Sequence, residues 1–480
     1  MSVRRHLAWM GGAQFLLFTF QFFGSVAIAR LLSPYEMGIF SIAASVIGLL
    51  NIFQSVGLNN YIVRQPDITR EDLSVVFSIN GLLSITIAIL ILLFGLFGQA
   101  LLHDRGPRTV MLYLCIVPVI GIFEFLPAAQ FERAANFRAI ALINLGKVVT
   151  VQSSTIAFAM HGYSFASLAM GQVLGSLFST AAYNIAGRRH VSLRLGFHSW
   201  RAIVRFAVQM LAISGVTSLA MRLTDLMLGR LVGLSALGLY SRATSLNNIL
   251  WENVHLVIGR VLFVEFATTA RAGKSLRDTY LTTVDMLTAL LWPAFLGLAV
   301  IAGPFILNIY GAKWVPAAQP LMLLSMASVV LVSLSMTWEI FVVRGETARQ
   351  SRIEVIRSGT GTVLFAIGCT FGLAGAAASR IGEALVSLVL YRSHLDRMTD
   401  TRLSDVVPIL VRNAALTGIA IGPAFVIMLT HKWSPMTPVA ELLGGMIAGG
   451  GGWVLALHLT RHALSAEALA LIRRVRARTA

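Results

Sequence analysis

Apolar stretches of about twenty residues, each closed by a charge, a glycine or a proline, follow one another along nearly the whole chain. That succession names the solvent before it names the fold, because a helix crossing the hydrocarbon core needs about 20 mostly apolar residues. Candidate spans fall at 8–29, 37–58, 74–97, 109–130, 137–160 and 165–186, then at 203–221, 234–258, 281–302, 317–343, 355–372 and 374–391, with a last pair at 407–430 and 440–460. In lipid every backbone polar group has to be satisfied inside the segment, so the expectation is an all-α, polytopic membrane protein of about 14 transmembrane helices. Composition agrees, with 56% of 480 residues apolar and 12% charged, against about 25% charged in soluble domains. A chain so divided has no room for a sizeable soluble domain. The first stretch follows Arg4 and Arg5 and contains Ala27-Ile28-Ala29, which imitates a signal-cleavage site. It is longer than the roughly 7 to 15 apolar residues of a signal core and reads as an uncleaved span.

The net charge of +17 would suggest nucleic acid in a soluble protein. Here the charges sit between the spans. Of 38 Lys and Arg, 28 fall on loops of one side and eight on the other, with Lys147 and Arg242 inside spans. Positive loops face the cytoplasm, which places both termini inside. Topology and contact with anionic lipid account for the surplus, and nucleic acid drops out as a partner. Residues 463–480 set Leu464, Leu469, Ile472 and Val475 among Arg473, Arg474, Arg476 and Arg478, the pattern of a basic amphipathic helix on the inner surface. Cys115 and Cys369 both lie in apolar stretches, which speaks against a disulfide framework or a thiolate metal site. HExxH and CxxC are missing, and Gly273-Lys274-Ser275 has Thr268 where a phosphate-cradling loop needs its first glycine. No cofactor or metal is implied. Short outer loops disfavour an enzyme such as a membrane-integral polysaccharide polymerase or glycosyltransferase.

Sliding the chain over itself by 200 residues lays Ala29-Arg30-Leu31-Leu32 and Gly38-Ile39-Phe40-Ser41-Ile42-Ala43 on Gly229-Arg230-Leu231-Val232 and Gly238-Leu239-Tyr240-Ser241-Arg242-Ala243. Both copies occupy a tight outer turn, six spans apart, so the halves run parallel about an axis along the membrane normal. Repeats of that kind place a transport site between them. The expected organisation is an N-terminal lobe over 1–186, a basic cytoplasmic linker over 187–205, a C-terminal lobe over 206–395, two extra helices over 396–462 and the basic tail over 463–480.

Ionisable residues inside spans are costly and mark pathways or partners. Arg242, Lys147 and Arg30 are the first candidates for holding an anion, with Arg222 and Arg230 behind them. A salt bridge between helices, Lys147 with Glu124, is an equal alternative. Arg222 with Asp225, and Arg380 with Glu383, stand three apart, where opposite charges neutralise each other on one helix face. Glu124, Asp285, Glu339 and Glu252 are candidates for a coupling proton or sodium ion. The glycine pairs 171/175, 368/372 and 445/449 read as close helix packing.

Ala29-Arg30-Leu31-Leu32-Ser33-Pro34 with Gly38, Gly57-Leu58 running to Val63-Arg64, Asp225 to Arg230 leading to Gly238-Leu239-Tyr240-Ser241, Gly259 to Phe263 with Tyr280, and Gly311-Ala312-Lys313-Trp314 together resemble polysaccharide transporters of the Wzx type. These belong to the multidrug/oligosaccharidyl-lipid/polysaccharide exporter superfamily. The resemblance covers roughly residues 8 to 390; where such proteins often carry Pro after the Val-Leu-Phe run, this chain has Val264-Glu265. It implies a flippase that moves polyprenyl-diphosphate-linked oligosaccharide repeat units to the outer leaflet for exopolysaccharide, capsule or O-antigen synthesis, through a cationic central cavity of alternating access. Partners would be that lipid, the membrane lipids and a polymerase with its chain-length and export machinery. The nearest rival is a cation-coupled multidrug antiporter of the same superfamily.

Overall fold

A computed structural model describes residues 3–55, 58, 62, 68–97, 104–134, 136–187, 195–196 and 200–465; residues 3–15, 52–55, 202–217, 252–258, 260 and 261 are described by their backbone alone. Every predicted span falls on a helix or on consecutive helical pieces, and among the described residues there is no strand. Among the described residues, eight helical stretches are long and apolar enough to cross a membrane. The protein is a multi-pass, all-helical membrane protein.

The chain divides into two compact units, Met1–Gly238 and Leu239–Ala480. The first holds α1 (Val3–Leu31), α2 (Pro34–Ser55), α3 (Arg70–Phe97), α4 (Gly106–Leu114), α5 (Ile116–Arg133), α6 (Phe137–Met160), α7 (Ala166–Ala186) and α8 (Trp200–Leu231). One predicted span, 109–130, is split into α4 and α5 at Cys115. Pro118 explains the break, since it cannot donate to the Leu114 carbonyl and its ring crowds that group. Lipid offers no hydrophobic drive between helices, so close fit has to hold them together. α7 meets α6 through Gly171 and Gly175, where an added Cβ would lie 2.0 Å from Thr155 Oγ1 and 2.2 Å from Val151 Cγ2. The packing reading of that glycine pair holds. Ile39, Ala43 and Val46 of α2, Ile87 and Ile91 of α3 and Val110 and Met111 of α4 form the core of the unit.

α8 runs to Leu231, ten residues beyond the predicted end at 221, and it packs along α2. Hydropathy stopped short of Arg222, Asp225 and Arg230, yet Arg222 and Asp225 find seats on α2 rather than ending the helix, and Arg230 lies exposed at its last turn. Within the same unit the two copies of the repeat meet. A Cβ on Gly38 would lie 1.8 Å from the Leu234 carbonyl oxygen, and a Cβ on Gly238 would lie 1.8 Å from the Pro34 carbonyl oxygen. The contact is reciprocal because the partners are themselves 200 residues apart.

The second unit takes most of α9 (Leu234–Arg271) and holds α10 (Arg277–Tyr310), α11 (Ala318–Val332), α12 (Thr337–Val343), α13 (Thr347–Thr370), α14 (Gly372–Thr399), α15 (Leu403–Thr430) and α16 (Val439–Leu459). α10 packs against α11 and α15, α13 lies along α14, and α16 against α15. Phe266, Tyr280, Phe295 and Phe341 are fully buried at its centre. Gly311, at φ +97°, turns the chain from α10 into a 3-10 turn over Ala312–Ala317. Gly372, at φ +77°, is also a turn residue, so in this unit Gly368 packs on the Gly375 carbonyl and not on its predicted partner. Residues 188–194 and 197–199 of the predicted linker and the predicted tail beyond 465 lie outside the described residues.

Candidate functional site

A cavity of about 740 Å³ opens in the first unit among α2, α4, α5, α6, α7 and α8. Its charged lining is Lys147, Arg222, Glu124 and Glu132, and its neutral polar lining includes Asn51, Gln172 and Ser176. Lys147, half-way along α6, reaches α5 with Nζ 3.5 Å from Glu124 Oε1. The other carboxylate oxygen of Glu124 accepts from Ser179 Oγ at 2.6 Å and Thr180 Oγ1 at 3.2 Å. Glu124 is thus held by α7 independently of its lysine, and the lysine contact is the longest of the three. The salt-bridge alternative for Lys147 is what the structure forms, on the wall of the cavity.

Arg222 reaches the same cavity by crossing α2. A Cβ on Gly48 would lie 2.5 Å from Arg222 Nε and 2.7 Å from Cζ, so the guanidinium lies in the groove left by that glycine. One turn away, Asp225 accepts from Ser45 Oγ at 2.8 Å. The predicted neutralisation of Arg222 by Asp225 does not form among the described residues, because α2 offers each of them a separate seat.

The other predicted cations lie elsewhere. Arg242 is 6% exposed in the second unit, its guanidinium carbon 5.2 Å from the Tyr310 ring centre and 5.4 Å from that of Trp314. Its Nε has no hydrogen-bond partner among the described residues. Tyr310 and Trp314, on either side of the Gly311 turn, thus bring two rings onto one arginine. Arg30 and Arg230 are exposed at the ends of α1 and α8. Of the predicted cations, the structure brings Lys147 and Arg222 to one cavity with Glu124, and Arg30, Arg230 and Arg242 do not line it.

Among the predicted carboxylates, Asp285 of α10 gathers three side-chain partners on one oxygen. Its Oδ1 accepts from Arg412 Nη2 at 2.5 Å and Asn413 Nδ2 at 3.0 Å, with His462 Nε2 at 3.0 Å. The Leu464 N–H donates to His462 Nδ1 at 3.1 Å, so the ring proton sits on Nε2 and points at the carboxylate. Glu339 is buried in the first turn of α12. The side chain of Glu252 lies outside the described residues. Arg380 does pair with Glu383, at 2.6 Å, and the pair extends through Arg357, 2.5 Å from Glu383, to Glu354. Sequence reading missed Glu132, Asn51 and Gln172 in the cavity, and Arg412, Asn413 and His462 around Asp285. Asn413 and His462 carry no charge signal, and Glu132 looked like an inner-loop residue beside Arg133. No group of three or more His, Cys, Asp or Glu among the described residues could hold a metal ion.

Residues 27–319 match a family model described as polysaccharide biosynthesis protein. The chain belongs to this family. It is 26% identical over 296 residues to the lipopolysaccharide biosynthesis protein WzxC of Escherichia coli K12, covering 60% of this chain and 59% of that protein. To the succinoglycan biosynthesis transport protein ExoT of Rhizobium meliloti it is 25% identical over 344 residues, covering 70% and 68%. The chain thus spans about three-fifths of the WzxC length. Its fold is that of the lipid II flippase MurJ in its inward closed conformation, with TM-score 0.77, 14% identity and coverage of 94% and 98%. It also resembles an inward-facing multidrug resistance transporter of the MATE family and MOP superfamily, with TM-score 0.61, 15% identity and coverage of 80% and 95%.

Proposed function

We propose that this protein is a flippase, not an enzyme, that carries polyprenyl-diphosphate-linked oligosaccharide repeat units from the inner to the outer leaflet of a bacterial cytoplasmic membrane. The observation that carries the reading is a cavity inside a lipid-embedded bundle with Lys147, Arg222, Glu124 and Glu132 on its wall. Each sugar hydroxyl moved unpaired into hydrocarbon costs roughly 4 to 8 kcal/mol, so the head group needs a wet passage while the prenyl chain stays in lipid. The diphosphate needs cations there. A guanidinium fork pairs with phosphate oxygens in two places and keeps its charge at physiological pH. Membership of a polysaccharide biosynthesis family and the likeness to WzxC and ExoT support the substrate class.

Transport then proceeds by alternating access of an N-terminal lobe over 1–186 and a C-terminal lobe over 206–395, with the linker, the last two helices and the tail accessory and both termini cytoplasmic. Arg242, Arg30 and Arg230 would serve the substrate along its path, and a polymerase with export machinery would take the product. Glu124 is the first candidate for a coupling ion, since of the predicted carboxylates whose side chains are described it is the one that lines the cavity; Asp285, Glu339 and Glu252 follow. Glu124 and Glu132 would equally attract a cationic drug, which keeps the antiporter as the rival.

Reconstituted vesicles carrying a lipid-linked oligosaccharide decide between them. The flippase reading expects lectin-accessible sugar to appear outside with wild-type protein and to be strongly slowed in Lys147→Gln and Arg222→Gln. Uptake of a lipophilic cation without sugar translocation would overturn it.

A further inference from the structure

We infer that one face of α2, formed by Gly48 and Asn51, is the seat of a sugar phosphate, with Gly48 positioning Arg222 for the phosphate and Asn51 accepting from the adjoining sugar hydroxyl. The inference rests on the flippase reading and assigns residues that reading leaves open. α2 and α8 pack antiparallel in a regular register. Gly229 meets Ile42, where an added Cβ would lie 2.8 Å from Ile42 Cδ1. Asp225 meets Ser45 at 2.8 Å, and Arg222 meets Gly48. The middle contact fixes α8 on α2, and the last decides where the arginine goes. An arginine near a helix flank can run its long stem either outward or across its neighbour. At position 48 only the lack of a Cβ leaves the crossing open, since any other residue would occupy the space of Nε and Cζ.

Three residues along the same helix stands Asn51, which lines the same cavity. Its Oδ1 is buried with no hydrogen-bond partner among the described residues. A buried acceptor left unpaired calls for a donor. A cation followed one turn later by an unpaired acceptor matches a phosphate followed by a hydroxyl, the chemistry at the point where a sugar joins its phosphate. Arg222 has no carboxylate partner among the described residues, whereas Lys147 is shared with Glu124. The arginine is therefore the cation available before any exchange of partners.

The test titrates full-length protein in lipid nanodiscs with glucose 1-phosphate and with inorganic phosphate. Wild type is expected to bind the sugar phosphate more tightly. Arg222→Ala and Gly48→Ala should each weaken both ligands by about ten- to a hundredfold, the range for losing a charge-assisted hydrogen bond. The double variant should be no weaker than Arg222→Ala alone. Asn51→Leu should weaken the sugar phosphate by about three- to tenfold and leave inorganic phosphate unchanged. A purely packing role for Gly48 predicts instead that Gly48→Ala lowers the melting temperature whether or not Arg222 is present. The present reading expects no lowering in the Arg222→Ala background, because the clashing atoms are the end of a flexible side chain. Wild-type binding by Gly48→Ala, or equal weakening of both ligands by Asn51→Leu, overturns the seat while the flippase reading stands. Failure of wild type to bind either ligand, or full binding by both Arg222→Ala and Lys147→Gln, overturns the flippase site itself.

Discussion

The reciprocal glycine contact gives a prediction whose size follows from geometry. Gly38 is the fifth residue of α2 and Gly238 the fifth of α9, and both belong to the first unit. Ordinary contact begins near 3.4 Å, so an alanine methyl at 1.8 Å forces the facing backbone to retreat by about 1.6 Å. The atoms in the way are backbone carbonyls, which no rotamer change can move. Overpacking costs about 1–3 kcal/mol, and a clash this deep against backbone belongs to its upper part, about 2–3 kcal/mol. Alanine returns about 1 kcal/mol through helix propensity, leaving a net loss of about 1–2 kcal/mol for either single substitution. The two losses must not add. Once the turns have parted for one methyl, the second enters space already opened. Gly38→Ala/Gly238→Ala is therefore expected to be no less stable than the worse single variant, a coupling of about 1–3 kcal/mol. Tryptophan-fluorescence melting in detergent reads this. At about 2–4 °C per kcal/mol for a unit near this size, each single variant should melt about 2–8 °C lower, and the double variant no lower still. Gly418→Ala, with nothing within 4 Å of its added methyl, is the control and should not melt lower. Strict additivity of the two losses would refute the reciprocal contact.

Three other expectations follow from the second unit. Asp285→Ala takes the carboxylate from the buried His462 ring, whose Nε2 keeps only Asn413 Oδ1 at 3.2 Å, while Asn413 Nδ2 retains Thr288 Oγ1 and the residue 285 carbonyl, so the loss should be about 1–3 kcal/mol, whereas Arg412→Gln removes a guanidinium that is 42% exposed and should cost about 1 kcal/mol or less; equal melting losses would speak against the network. Arg242→Lys keeps the charge but gives up planar stacking on Tyr310 and Trp314, so it should melt lower, by the equivalent of about 0.5–2 kcal/mol, and a wild-type melting curve would show that the rings do not hold the guanidinium. Burial works against the Glu346 carboxylate in the turn before α13, but the hydrogen bond from Arg397 and the charge of Arg349 outweigh it and hold its pKa below the usual 4.5. Its stabilising effect is accordingly complete above pH 4.5 and lost as pH falls through the lowered value, so Glu346→Gln should be less stable than wild type at pH 7 and lose that difference in strong acid.

The spans were legible because lipid imposes its demand on each segment separately. A stretch either satisfies its own backbone and presents apolar side chains or it does not cross, and no knowledge of neighbours is needed. The repeat was legible for a related reason, since Gly38 and Gly238 each face a carbonyl that tolerates no side chain. Ends of helices were less legible where charge accumulates. Hydropathy cut the seventh span at 221, while α8 continues through Arg222, Asp225 and Arg230 to Leu231. Averaging a window treats each charge as exposed to lipid, and it cannot see a serine and a glycine waiting on α2.

The same blindness explains why the site was only partly readable. Arg222/Asp225 and Arg380/Glu383 have the same spacing and the same charges, and sequence reading treated them alike. The structure pairs the second and separates the first. Across from Arg380 stand Tyr240, whose hydroxyl accepts from Nε at 2.9 Å, and the Phe365 ring at 4.6 Å, so the guanidinium is pinned where Glu383 can reach it. Across from Arg222 stands Gly48, which pins nothing and leaves the arginine room to pass, while Ser45 takes the carboxylate. What decides between a neutralised pair and an available cation is thus the residue on the facing helix. That residue lies 174 positions away from Arg222 in one case and 140 from Arg380 in the other.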